Sequence, residues 1–108
     1  MGERTGIITF LNVYDEIGPD GHPYSGCLAI IVADNGGQTF LDTASDRLIQ
    51  ALETFYATKN RATVDFSDAP VAVGTGSVLQ KRQAGYTQAT SGAADGPFTL
   101  RAIWSRPK

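Results

Sequence analysis

The sequence predicts a β-rich fold: an OB-like barrel of five to six strands with one α-helix, at about 45–58, between strands 3 and 4. Three observations carry that expectation. Short runs of β-branched and aromatic residues recur along the chain, separated by clusters of Gly, Pro, Asn and Asp. Only one stretch, after the third run, places apolar residues at helical spacing. The resulting order is three strands, a helix, then two or three strands, which is the order of a small five-stranded Greek-key barrel. A half-open α+β sheet with one covering helix is the rival arrangement.

The first run, Ile7 to Tyr14, places Ile7, Thr9, Leu11 and Val13 on one face and Ile8, Phe10, Asn12 and Tyr14 on the other. Both faces are partly apolar, as suits a covered or closed sheet. Gly18 to Pro23 is rich in turn formers. The second strand, Cys27 to Ala33, is the most continuously apolar run in the chain. Asn35-Gly36 then predicts a tight hairpin, since both residue types tolerate positive φ. The third strand is short, Gln38 to Leu41.

The helix follows, with Thr43 or Ser45 as its cap and Asp46 in the first turn, where the helix dipole favours negative charge. Leu48, Ile49, Leu52, Phe55 and Tyr56 form its apolar stripe, and Asn60 is a suitable stop. The simplest role for the stripe is packing on the barrel, with one edge left over for a neighbouring subunit. In the fourth strand Ala62, Val64 and Phe66 face in, while Thr63 and Asp65 face out. Ser67-Asp68-Ala69-Pro70 reads as a turn, and Val71 to Leu79 as a further strand weakened by Gly74 and Gly76. Gln80 to Gly96 reads as a long polar loop or a loose hairpin. In the last strand Phe98, Leu100, Ala102 and Trp104 alternate with Thr99, Arg101 and Ile103.

The chain has 108 residues, which suits one domain spanning 1–108. A net charge of −2 argues against the nucleic acid backbone as the main partner. Charged residues make up 19% of the chain, a light share that fits a surface partly covered by partner subunits. No apolar run approaches the ~20 residues that span a bilayer. Met1-Gly2-Glu3-Arg4 does not read as a leader, so the expectation is a cytoplasmic protein, or a secreted or periplasmic one whose leader was removed.

Residues able to carry catalysis are scarce. His22 is the only histidine and Cys27 the only cysteine. A Cys/His pair would supply a nucleophile and its base, but a solvated turn histidine beside a small core cysteine is the better reading. One His and one Cys cannot build a structural zinc site. Asp15, Glu16 and Asp20 lack the spacing of a calcium loop, and Gly74-Thr75-Gly76-Ser77 lacks the ending of a phosphate loop. The expectation is a binding protein with no catalytic residue, no metal and no cofactor. Lys81-Arg82 with Tyr86 is the one basic pair close to an aromatic, and it motivates an alternative reading as an intracellular adaptor or single-stranded nucleic-acid module.

Three segments carry a resemblance to a known family. They are Thr5-Gly6-Ile7-Ile8, Pro23-Tyr24-Ser25-Gly26-Cys27-Leu28, and Ser45 to Val64 with Leu48, Ala51, Leu52, Phe55, Tyr56, Ala57 and Thr58. Together they resemble the B subunits of bacterial AB-type toxins, in the subtilase-cytotoxin and typhoid-toxin group. The resemblance implies a non-enzymatic subunit that assembles into a homopentamer, binds sialylated glycans and accompanies a catalytic A-type subunit. It places a sugar-binding hydroxyl at Thr5 and further ligand contacts at Tyr24, Ser67 and Asp68. The chain departs from the family in three respects. Thr39 stands where the family has the disulfide partner of the cysteine at position 27, the family's C-terminal cysteine pair is missing, and Ser67 to Pro70 replace aromatic residues.

Overall fold

The computed structural model describes residues 2–17, 23–70 and 94–105. It contains β1 (Gly2–Ile17), β2 (Pro23–Ala33), β3 (Gln38–Thr43), α1 (Asp46–Thr58), β4 (Ala62–Pro70) and β5 (Ala94–Ser105). The strands close into a barrel in the order β1-β2-β3-β5-β4, with β4 returning to β1. All neighbours are antiparallel except β3 and β5, which run parallel. The single helix lies between β3 and β4, so the predicted OB-like barrel is the observed fold. The predicted strand at Val71 to Leu79 and most of the predicted loop lie outside the described residues. β5 starts at Ala94, within the stretch expected to be loop.

Closure depends on one long strand with two partners. The first residues of β1, Gly2 to Gly6, pair with β4, and from Gly6 onward β1 pairs with β2. Gly6 is the crossing point, opposite both Ala33 and Ala62. A Cβ there would lie 2.0 Å from the Val32 carbonyl oxygen, so only glycine lets the two ladders meet.

The interior core comprises Ile8, Cys27, Ala29, Ile31, Leu41, Val64, Phe66 and Leu100 from the strands, with Ile49 and Leu52 from α1 closing one end. Phe66 stacks on Phe98, ring centroids 5.1 Å apart. A second apolar cluster lies on the opposite face of β1, β2 and β3. It consists of Leu28, Ile30 and Phe40, with Phe10 and Val32 against them. Phe40 is 0% exposed, Leu28 2% and Ile30 3%. That explains why β2 is apolar at every position from Cys27 to Val32: the odd residues fill the barrel and the even ones fill the second cluster.

Two bulges reset the faces read from strict alternation. In β1, Ile8 opposes Ile31 while Phe10 opposes Ile30, so Thr9 has no partner. Ile8 and Leu11 therefore face the interior core and Phe10 faces the second cluster, in place of the predicted Ile8/Phe10 and Thr9/Leu11 pairs. In β5, Leu100 opposes Phe66 while Ala102 opposes Asp65, and Arg101 is the extra residue. Beyond it the face switches. Ile103 packs on the interior core, whereas Trp104, expected on the face of Leu100, points outward and is 41% exposed.

Local chemistry sets the remaining boundaries. Ser45 caps α1, its Oγ accepting the Leu48 N–H at 3.4 Å. Thr43, the alternative cap, instead accepts the Ser45 N–H at 3.1 Å. The helix ends at Thr58, as expected, with Lys59 left-handed at φ 58° and its ammonium over the Tyr56 ring. Tyr56 belongs to the expected stripe but is largely exposed, and Ile49 and Leu52 are the buried members. At the β2–β3 turn Gly36 alone takes positive φ, +88°, while Asn35 acts through its side chain, accepting the Gly37 N–H. Ser67 to Ala69 do not turn the chain as expected. β4 continues to Pro70, and the turn-forming residues produce an irregularity between Phe66 and Pro70 instead.

Candidate functional site

The two bulges and the long first strand bring one set of polar and aromatic residues together on the outside of the barrel. β1, β4 and β5 lie side by side there, and their registers define two rows. Thr5 opposes Thr63, which opposes Trp104; Glu3 opposes Asp65, which opposes Ala102. Residues two apart on a strand share a face, and directly opposed side chains lie within about 5.5 Å at Cβ. Val64 and Phe66 fill the interior, so Thr63 and Asp65, and with them both rows, face outward.

The middle of this face is organised by a hydroxyl pair. The Oγ atoms of Thr5 and Thr63 are hydrogen-bonded at 2.9 Å. Thr63 is only 1% exposed, although its strand position faces out, and it lies between its row neighbours Thr5 and Trp104. Thr5 is half-buried, and its bond to Thr63 holds its hydroxyl oxygen in place. A hydroxyl held in this way can donate one hydrogen bond and accept others. On the other side of Thr63 stands Trp104, one of three large exposed apolar side chains among the described residues, with Val13 and Tyr56.

Thr5 belongs to this region, whereas Ser67 lies just past Phe66, where the pairing of β4 becomes irregular. Tyr24 lies outside the region. It opposes Glu16 near the far end of the β1–β2 hairpin, nine residues along β2 from Ala33, which is roughly 30 Å of extended strand. Asp68 falls in the irregular segment of β4 between Phe66 and Pro70. Sequence reasoning missed Thr63, Asp65 and Trp104 as site residues. The outward positions of Thr63 and Asp65 were available from alternation, but nothing before Trp104 announces the bulge at Arg101 that turns the indole outward.

Cys27 lies in the interior core and is fully buried. Its Sγ donates to the Leu28 carbonyl at 3.6 Å. Burial pushes the thiol from 9.0 up to about 12, so the nucleophilic thiolate is scarce at neutral pH. His22 lies outside the described residues. Cys27 opposes Thr43, whereas Thr39 opposes Ile31. Positions 27 and 39 are thus four residues apart in register, roughly 13 Å, too far for the bridge the toxin family makes.

The thiol also makes stability fall in alkali. The folded chain keeps a proton that the unfolded chain releases above about pH 9, so the contribution is complete below pH 9 and is lost as pH rises toward 12. By pH 10 the expected loss is about 1.4 kcal/mol. Urea midpoints at pH 7.5 and 10 check this. Wild type should lose more than Cys27→Ala, and equal losses would show that the thiol is not shielded.

Among the described residues no group of three or more His, Cys, Asp or Glu side chains could hold a metal ion. No helix among them is long and apolar enough to cross a membrane. Compared with protein-family models, curated proteins and solved structures, the chain finds no match. The likeness to toxin B subunits therefore rests on the three sequence segments alone.

Proposed function

We infer that this chain is a non-enzymatic carbohydrate-binding subunit, and that its binding face is the outer surface of β1, β4 and β5 around Thr5, Thr63 and Trp104. The observation that carries the reading is the exposed indole of Trp104 in register with the bonded hydroxyls of Thr5 and Thr63. Sugars present a patch of C–H groups on one ring face and hydroxyls around the rim. An indole accepts the first, and hydroxyls held in place match the second at little entropic cost. The resemblance to toxin B subunits supports the same ligand class and assigns a sugar contact to Thr5. It also supports a homopentamer carrying an A-type subunit, and the exposed Tyr56 on α1 fits a subunit contact.

Small barrels of this type often bind oligonucleotides on the outer face of strands 2 and 3. In this chain that face carries the second apolar cluster, and Leu28, Ile30 and Phe40 are buried. It offers neither exposed cations nor exposed rings for stacking bases among the described residues. The nucleic-acid reading would therefore depend on Lys81, Arg82 and Tyr86, which lie outside the described residues.

A glycan array run with wild type and Trp104→Ala tests the proposal. Wild type should bind a defined subset, and Trp104→Ala should weaken that binding roughly tenfold or more while still unfolding in one cooperative transition. Identical binding by the two proteins would exclude this face. The oligomer is tested by solution mass: about five times 11.5 kDa is expected, and a monomer would remove the pentamer.

A further inference from the structure

The charges on this same face specify which sugar it takes. Glu3 and Asp65 are directly opposed across β1 and β4, one row away from Thr5 and Thr63. Glu3 is exposed and Asp65 half-buried, and neither makes a hydrogen bond or ion pair with another described residue. Arg4, between Glu3 and Thr5, belongs to the opposite face of β1. Arg101 at the β5 bulge is already engaged in an interaction of its own. Next to Asp65 in its row is Ala102, a small side chain two residues along β5 from Trp104.

We propose that the outer face of β1, β4 and β5 binds a neutral pyranose and discriminates against sialylated or otherwise anionic sugars. The proposal rests on the carbohydrate reading above and departs from the sialic acid that the toxin likeness implies. The sugar's apolar face lies on Trp104 beside the small side chain of Ala102. Its rim hydroxyls donate to the carboxylates of Asp65 and Glu3, and Thr5 supplies a further donor or acceptor. A carboxylate accepts hydrogen bonds but cannot donate them at neutral pH, so it matches a polyol and not another carboxylate. Two negative groups beside the site repel a third, most strongly where the ligand excludes water.

The test is a titration followed by Trp104 fluorescence, using N-acetyllactosamine and its α2,3-sialylated form as a matched pair at low and physiological salt. The neutral sugar should bind at least roughly tenfold more tightly than the sialylated one, with the gap narrowing as salt rises. Asp65→Asn should weaken the neutral sugar several-fold and reduce the discrimination. Glu3→Gln, at an exposed position near the chain start, serves as the second variant should Asp65→Asn prove unstable. Tighter binding of the sialylated sugar would overturn the neutral-sugar proposal and leave the carbohydrate reading standing. Silence with both sugars, and with a panel of other neutral and anionic glycans, would overturn the two together.

Discussion

Replacing Gly6 with alanine is expected to cost about 3 kcal/mol of stability, by forcing a Cβ into backbone that has no room to yield. The three nearest atoms to that Cβ all belong to the backbone: Val32 O at 2.0 Å, Val32 C at 2.7 Å and Ala33 Cα at 3.0 Å. A flexible side chain could swing aside; a carbonyl held in the β1–β2 ladder cannot. Gly6 is also paired with Ala62 on its other side, so β1 cannot retreat without opening the barrel at its closure. Gly2 provides the comparison, because a Cβ there meets only the Phe66 ring, near the chain start. Thermal unfolding of Gly6→Ala and Gly2→Ala measures both. The first should shift its thermal midpoint down by roughly 12–24 °C and the second by clearly less. A Gly6→Ala midpoint within a few degrees of wild type would mean that the two ladders do not cross so tightly.

The second large effect is expected from Phe40→Ala, at about 4 kcal/mol. Phe40 points away from the barrel interior, yet it is fully buried, and its ring meets Phe10 edge to face at 6.4 Å. If the outer face of β1, β2 and β3 is a true second core, removing that ring should cost as much as an interior truncation such as Leu52→Ala. It should also create a dye-binding apolar surface. A loss under 1 kcal/mol would mean that this face is open to solvent, and it would return strands 2 and 3 to consideration as a binding surface. The outcome therefore bears on function as well as stability, since a closed face there leaves the surface of β1, β4 and β5 as the candidate.

Where the local chain dictates its own geometry, the sequence was readable. The helix came from the spacing of Leu48, Ile49, Leu52 and Phe55 and from Ser45 at its start, and each of these acts within a turn or two. The topology followed from the order of elements. What could not be read were the places where one strand must satisfy two partners. The bulges at Thr9 and Arg101 arise because strands of a closed barrel must bend to stay paired on both sides, and neither residue type marks such a position. Each bulge turned the downstream residues over, which is why Trp104 was read as facing with Leu100. The role of Gly6 was equally hidden, since its constraint comes from Val32 and Ala62, far away in sequence.

The candidate site was legible only in part, for the same reason. Thr5 entered through the resemblance, but its partner Thr63 lies 58 residues away and is brought to it by barrel closure alone. The resemblance draws Tyr24 and Thr5 into one site, whereas the β1–β2 hairpin places them near opposite ends. Trp104 completes the site through a bulge.

Trp104 is the only tryptophan in the chain, so its indole Nε1–H gives a single, assignable signal in a ¹H–¹⁵N spectrum. Titrating the labelled protein with N-acetyllactosamine and following that signal, together with the amides of Thr5 and Thr63, is the most direct test of where a ligand sits. The account predicts that shifts concentrate on those three residues and their row neighbours. Shifts confined to β2 and β3, or to the helix, would contradict it.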